Sequence, residues 1–346
     1  MSMAPAPIQY RAIIEIVGLG EERTKLSSLP LSHVPALRIA FSQRANGLWS
    51  DSILSVPEGK SESADGMGTI AAFRRLIEFG WDQDSPPIHQ ARRTLFRLLA
   101  EDNDPNFLFE LRTKGRMEVE QVRRGRLLLR EAAAAALARA GFEADPRLRG
   151  AARRILDRIA AYVRSPLAQK PWVRVGNRQV LSPEATPPSL YALEMLAFMP
   201  VFCHENRTQV EYLYSFVSQA LPRQESAQLI GEEVLEQPQF VLGDWFPNRN
   251  AVDADVPLAL HWLELMARLR FLARNESWMR LFTRFLDDRD RSGVWHPHKG
   301  TGAPKSASPF VWHAFPLSER DDERSVDVTF RLGLIARLIG RPIEFE

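Results

Sequence analysis

The sequence has one cysteine, Cys203, in 346 residues. No internal disulfide can form, which excludes the small secreted scaffolds held together by disulfides and suits a reducing compartment. Long apolar runs are also missing, and no stretch approaches the roughly 20 uncharged residues of a membrane-spanning helix. The opening MSMAPAPIQYRAIIEIVGLG lacks a basic head followed by a long apolar core. It reads poorly as a secretory leader, so a cytoplasmic location is expected. Neither sign of charge is in excess: 45 Lys and Arg stand against 43 Asp and Glu. That balance argues against nucleic acid or an acidic membrane as the main partner. No glycine-rich phosphate loop occurs. Apart from AIIEIVG (residues 12–18), no alternating β-branched run suggests a strand.

What is present is helical. Residues 146–163 place Leu148, Ala152, Ile155, Ile159 and Val163 on one face. Asp145 serves as N-cap and Pro146 as the first helical residue. The preceding RLLLREAAAAALARAG (126–141) is nearly all helix formers and stops at Gly141. This apolar helix followed by an arginine-rich one reads as an inner and an outer helix. The alternation recurs. Apolar candidates fall at 68–79, 126–140, 188–200, 255–272 and 325–339, and more polar ones at 86–100, 146–163, 206–220 and 276–287. Starts of the apolar set lie roughly sixty residues apart, a period that predicts an array of helix hairpins.

A short motif punctuates this array. SQRANGLWS contains Gln43, Gly47 and Trp49, and PQFVLGDWFP contains Gln239, Gly243 and Trp245 at the same offsets. In FLDDRDRSGVW, Phe285, Arg289, Gly293 and Trp295 keep the register with Arg in place of Gln. Gly permits a tight reversal, Trp covers a joint, and Gln or Arg can satisfy free backbone groups. The motif therefore reads as a staple between hairpins.

These residues resemble the QW motif of squalene–hopene and oxidosqualene cyclases. The copy GEEVLEQPQFVLGDW, with Gly231, Leu235, Gln239, Gly243 and Trp245, lacks only the leading basic residue, which is Ile230 here. ERSVDVTFRLGLIARL (323–338) is similar to the last inner helix of small bacterial toroid proteins. The resemblance covers about residues 40–340. It implies an all-α fold, an α/α toroid of inner and outer helix rings over residues 41–346, with residues 1–40 as a short irregular extension packed on it. It also implies an apolar, isoprenoid-type small-molecule substrate in a central cavity, with no nucleic acid and no cofactor. It leaves room for peripheral membrane contact and for a homodimer.

Class II terpene cyclases carry Asp-x-Asp-Asp, whose middle Asp protonates an alkene or epoxide. Asp253-Ala254-Asp255 matches three of the four positions, and Val256 stands at the fourth. The resemblance thus makes Asp255 the acid and Asp253 its neighbour. A proton donor needs a carboxyl kept neutral by burial or by a second carboxylate. Either Asp could equally cap the helix that follows. Asp65 and Asp327 sit near two other inner-helix starts. Arg331 could meet an anion or pair with Asp327. His261, Trp262 and Trp312 are substrate-contact candidates. Trp262 belongs to a set, with Phe271, Phe198, Tyr191, Phe73 and Phe330, that could face a carbocation or simply pack.

A metal is the minor alternative. The zinc ligands of protein prenyltransferases and lanthipeptide cyclases are incomplete here, since Cys203-His204 has no second cysteine. His296, His298 and His313 share one long loop and could bind zinc. The length of that loop, over 291–320, suggests that it folds over the cavity mouth. Arg123, Arg124, Arg126 and Arg130 could receive a diphosphate or form a solvated helix start. Three functions remain open: acid-initiated terpenoid cyclisation, a non-catalytic toroid that binds a lipid or a protein, and a sugar-active enzyme with a carboxylate pair.

Overall fold

The computed structural model describes residues 4–57, 66–100, 104–111, 119–220, 222, 226–246, 249–297, 308–314 and 324–343. In chain order the α-helices are α1 (Ala6–Arg11), α2 (Arg23–Leu26), α3 (Ser28–Leu31), α4 (Val34–Phe41), α5 (Thr69–Glu78), α6 (Pro86–Ala100), α7 (Val119–Arg139) and α8 (Pro146–Val163). They continue with α9 (Pro166–Gln169), α10 (Leu190–Ala197), α11 (Pro200–Glu205), α12 (Arg207–Val217), α13 (Arg249–Ala254), α14 (Val256–Arg268), α15 (Glu276–Asp287) and α16 (Arg324–Leu338). Each long helix expected from the apolar spacing is present. Among the described residues, none is long and apolar enough to cross a membrane.

Two compact units share these elements: residues 1–91 with 248–346, and residues 92–247. In the second, α7 packs against α8 and α10, and α8 against α12. The alanine run of α7 is buried from Ala132 to Ala138, and its small side chains let neighbouring helices approach closely. α8 buries Leu148, Ala152, Ile155 and Ile159 as the spacing predicts. Asp145 caps it by accepting from Arg147 N. In the first unit, α14 packs against α16, and α15 against α16.

Three expectations are corrected. The described chain is helix-rich but not all-α. It includes a four-stranded mixed sheet, β1 (Trp172–Val175), β2 (Arg178–Leu181), β3 (Ala227–Ile230) and β4 (Glu233–Glu236), in that order. β1–β2 and β3–β4 are antiparallel hairpins in which Val175 pairs with Arg178 and Ile230 with Glu233, and β2–β3 is parallel. Both hairpins close through two residues led by Gly176 (φ 59°) or Gly231 (φ 63°), the left-handed conformation such turns need. Strands of four residues are too short for an alternation signal. The second correction concerns the N-terminal segment, which is mostly helical between residues 6 and 41. The third is AIIEIVG, expected as a strand. Ala12–Val17 instead extends α1 as a π-helical turn ending at Gly18 (φ 88°). Helical spacing there brings Arg11 and Glu15 together, and that pairing overrides the β-branched preference for strand.

The repeated motif gives two equivalent joints. In the first copy, Arg44 N donates to Leu48 O (2.8 Å), Gly47 N to Arg44 O (2.9 Å), and Trp49 N to the Thr69 hydroxyl on α5 (3.3 Å). In the copy with Arg289, Asp290 N donates to Val294 O (2.9 Å), Gly293 N to Asp290 O (3.0 Å), and Trp295 N to the Thr329 hydroxyl on α16 (2.9 Å). Gly47 (φ 82°) and Gly293 (φ 78°) share a left-handed backbone. Gln43 Nε2 also reaches Pro87 O at the start of α6 (2.9 Å). Each staple thus ties a tight turn to the next buried helix. The middle copy is built differently: Phe240 N bonds Gln237 O, and Asp244 N bonds Gln219 O.

Candidate functional site

In the first unit, charged side chains from α1, its π-helical extension, α5, α14 and α16 meet in a closed circuit. Arg11 Nε binds Glu15 at 2.5 Å and Arg11 Nη1 binds Glu78. Arg331 binds Glu78 with one nitrogen and Glu264 with another at 3.0 Å. Arg268 binds Glu264 at 2.9 Å and Glu15 at 3.7 Å, closing the ring. Three guanidiniums and three carboxylates alternate, so the group is formally neutral. Glu78, Glu264 and Arg331 expose only 1–2% of their side chains. Burial raises the cost of charge at Glu15, but Arg11, Arg268 and Arg331 outweigh it and hold its pKa at about 2. For Arg11, burial is likewise outweighed, by Glu15 and Glu264, and its pKa is raised.

A described piece of the long loop docks on this ring. Arg331 Nη2 donates to Ala314 O (2.6 Å), and Arg74 Nη2 to Phe310 O (3.5 Å). Trp312 lies over the Arg75 guanidinium, 4.2 Å from ring centroid to Cζ. His313, 1% exposed, meets His261 edge to face with ring centroids 5.7 Å apart. Segment 308–314 thus contacts residues of α5, α14 and α16. Arg331, His261 and Trp312 come together around it. Asp327 is fully buried one turn before Arg331 on α16.

Other expected site residues lie elsewhere. Asp255 is the N-cap of α14 and accepts from Leu258 N at 3.0 Å. Asp253 is exposed and pairs with Arg284 of α15. Trp262 packs edge to face on Trp278 of α15, with centroids 5.9 Å apart, and so belongs to the packing between helices. Phe330 lies under Arg11, 4.9 Å from its guanidinium carbon, and Phe198 under Arg139 at 4.7 Å. Asp65 and His298 fall outside the described residues. His296 is half-exposed and contacts Asp290 at 2.8 Å, an environment unlike that of buried His313. Among the described residues no three His, Cys, Asp or Glu side chains are grouped to hold a metal.

Arg11, Glu15, Glu78, Glu264 and Arg268 were not anticipated from the sequence. Their signal was present: Glu264 interrupts the apolar run LALHWLELMARL, with Arg268 one turn on. A charge inside an apolar helix needs a buried partner. Chemically, each carboxylate of the ring stands between two guanidiniums, the reverse of the setting that keeps a proton on an acid. Comparison with known protein families, with curated proteins and with solved structures finds no match.

Proposed function

We propose that the chain is a helix-hairpin protein of the α/α-toroid type that binds an apolar, isoprenoid-like molecule without cyclising it. The observation that carries the non-catalytic reading is the position of Asp255. Its carboxylate accepts from Leu258 N at the start of α14, and its neighbour Asp253 is an exposed partner of Arg284. Neither is placed as a buried carboxyl waiting to give up a proton. Support for the toroid comes from the chain's own motifs: helices alternate as the spacing demands, and two staples repeat the same hydrogen bonds. The sugar-enzyme alternative needs two free opposed carboxylates, whereas Glu78 and Glu264 share Arg331.

The test is native mass spectrometry of the purified protein, then denaturation and analysis of released lipids. An isoprenoid recovered unchanged is the expected result. An empty protein that also fails to take up added linear isoprenoids rejects the ligand assignment. A cyclised product that disappears in Asp255→Asn replaces the binding function with catalysis.

A further inference from the structure

The sheet of the second unit ends in two open edges. Its strands lie in the order β1–β2–β3–β4, so β1 and β4 each have a strand on one side only. In a hairpin with a two-residue turn the closing pair exchanges hydrogen bonds, and so does every second pair after it. In the first hairpin those pairs are Val175 with Arg178 and Val173 with Val180. The next is Pro171 with Ser182, where Ser182 N donates to Pro171 O at 2.7 Å. The N–H and C=O groups of Trp172 and Arg174 therefore point away from β2. In the second hairpin Ile230 pairs with Glu233 and Gln228 with Leu235, and Gln237 N donates to Ser226 O at 2.7 Å. There the outward groups belong to Val234 and Glu236. Among the described residues nothing pairs with the outward groups of these four residues.

The two edges carry opposite charge. From Arg158 to Pro183 the sequence has five basic residues and no acidic one, and from Gln224 to Asn248 it has five acidic residues and no basic one. Lys170, Arg174 and Arg178 are exposed beside β1, and Glu232, Glu233 and Glu236 beside β4. Three inter-strand steps put β1 and β4 about 14 Å apart, beyond the screening length of about 8 Å at physiological ionic strength. The division of charge therefore does little for the fold itself. Charges on an edge strand ordinarily keep it from pairing with its own kind. Here two copies of β1, or two of β4, repel, whereas β1 of one copy and β4 of another attract.

We propose that the chain associates with itself head to tail, β1 of one copy adding to β4 of the next so that the sheet continues across the contact. The occupant of each edge is a second copy of this chain. Main-chain groups of Trp172, Arg174, Val234 and Glu236 supply the hydrogen bonds. Arg174 and Glu236 supply the attraction, and Leu235, 37% exposed, is covered on pairing. A two-fold dimer through either edge would bring like charges together. The contact is thus heterologous and leaves one free edge at each end of an open assembly. It stands apart from the ligand proposed above.

Sedimentation velocity of the full chain over a dilution series tests the contact. Association should grow with concentration and weaken with added salt. Arg174→Glu and Glu236→Arg should each raise the dissociation constant at least about tenfold, with the melting temperature unchanged because both side chains are exposed. An equimolar mixture of the two variants should dimerise with the parent's affinity, because each keeps the native edge that the other has lost. Hydrogen exchange on the parent needs no variant. The amides of Trp172, Arg174, Val234 and Glu236 should slow at high concentration, while that of Val173, already bonded to β2, should not change. A chain that stays monomeric, association indifferent to both substitutions, or a mixture no tighter than its components overturns the proposal. Association that leaves those four amides exchanging as before overturns it as well.

Discussion

Replacing Arg331 by Met should be among the most damaging single changes outside the apolar core. The guanidinium touches Glu78, Glu264 and Ala314 O, and its side chain is 2% exposed. Removing one member of a buried ion pair costs about 3–5 kcal/mol, because the remaining charge stays desolvated. Here each orphaned carboxylate keeps one guanidinium, Arg11 for Glu78 and Arg268 for Glu264, which favours the lower part of that range. The lost charged hydrogen bond to Ala314 O adds about 1–3 kcal/mol. A total of about 4 kcal/mol is expected, measured by urea unfolding of the variant against the parent. Hydrogen exchange gives an independent readout, since the Ala314 amide is held by Val311 O at 2.9 Å within the docked segment. Its protection should fall together with stability. Arg331→Met combined with Glu264→Met should recover part of the loss, because well-packed apolar groups can replace a buried pair. A loss below about 1 kcal/mol, or a large loss with exchange at 308–314 unchanged, would refute the view that Arg331 joins the ring to the loop.

Asp255→Asn should cost little, because an amide oxygen still caps α14, whereas Asp255→Ala should cost about 1 kcal/mol in chemical denaturation. Stability should fall in two stages on acidification. His33 has its pKa lowered from 6.5 to about 4, by burial and then by Arg75. Between those pH values the unfolded chain takes up a proton that the folded one refuses, so stability declines as pH falls. Glu15, held at about 2 instead of 4.5, adds a second decline between those values. That decline is about 2 kcal/mol after allowing for the 30% exposure of its side chain, and Glu15→Gln should abolish it. Gly47→Ala should destabilise more than Gly293→Ala, as thermal melting can check. Both glycines are left-handed, at about 1–2 kcal/mol for an L-residue, but an added Cβ would stand 3.1 Å from Gln90 O at Gly47 and would meet nothing within 4 Å at Gly293.

The helices were legible because their signal is summed over many residues. Leu148, Ala152, Ile155 and Ile159 repeat the buried face often enough to survive any one exception. Strands of four residues offer two positions per face, and Trp172–Val175 with Arg178–Leu181 gives no run to sum. The hairpin turn was the available clue, since Gly176-Asn177 is a typical two-residue reversal. The site was harder to read for a different reason. Its ring joins residues as distant in sequence as Arg11, Glu78, Glu264 and Arg331. Periodicity reports which face of an element is buried but not which buried charges will meet. Asp255 illustrates the reverse situation: a local motif suggests chemistry, and of the two roles the sequence left open the backbone displays the cap.

The staples show where motif strength and structural equivalence part. By residue identity the second copy, with Gln239, Gly243 and Trp245, is the better match to the first, and the Arg289 copy is the variant. In three dimensions the order reverses. Gly47 and Gly293 share one turn and one bond to a threonine hydroxyl on the next helix, whereas Gly243 has φ 149° and lies 2.8 Å, through a notional Cβ, from Gln219 O. What distinguishes the copies is the element before them. Gln43 and Arg289 follow the helices α4 and α15, but Gln239 follows the hairpin β3–β4. A chain leaving a strand arrives at the glycine in a different direction, so the same residues close a different joint. Equivalence between repeats is therefore carried by the turn and its preceding helix, and the side chain at the Gln or Arg position is free to change so long as it can still donate to a backbone carbonyl: Gln43 to Gly47 O and Pro87 O, Arg289 to Leu286 O.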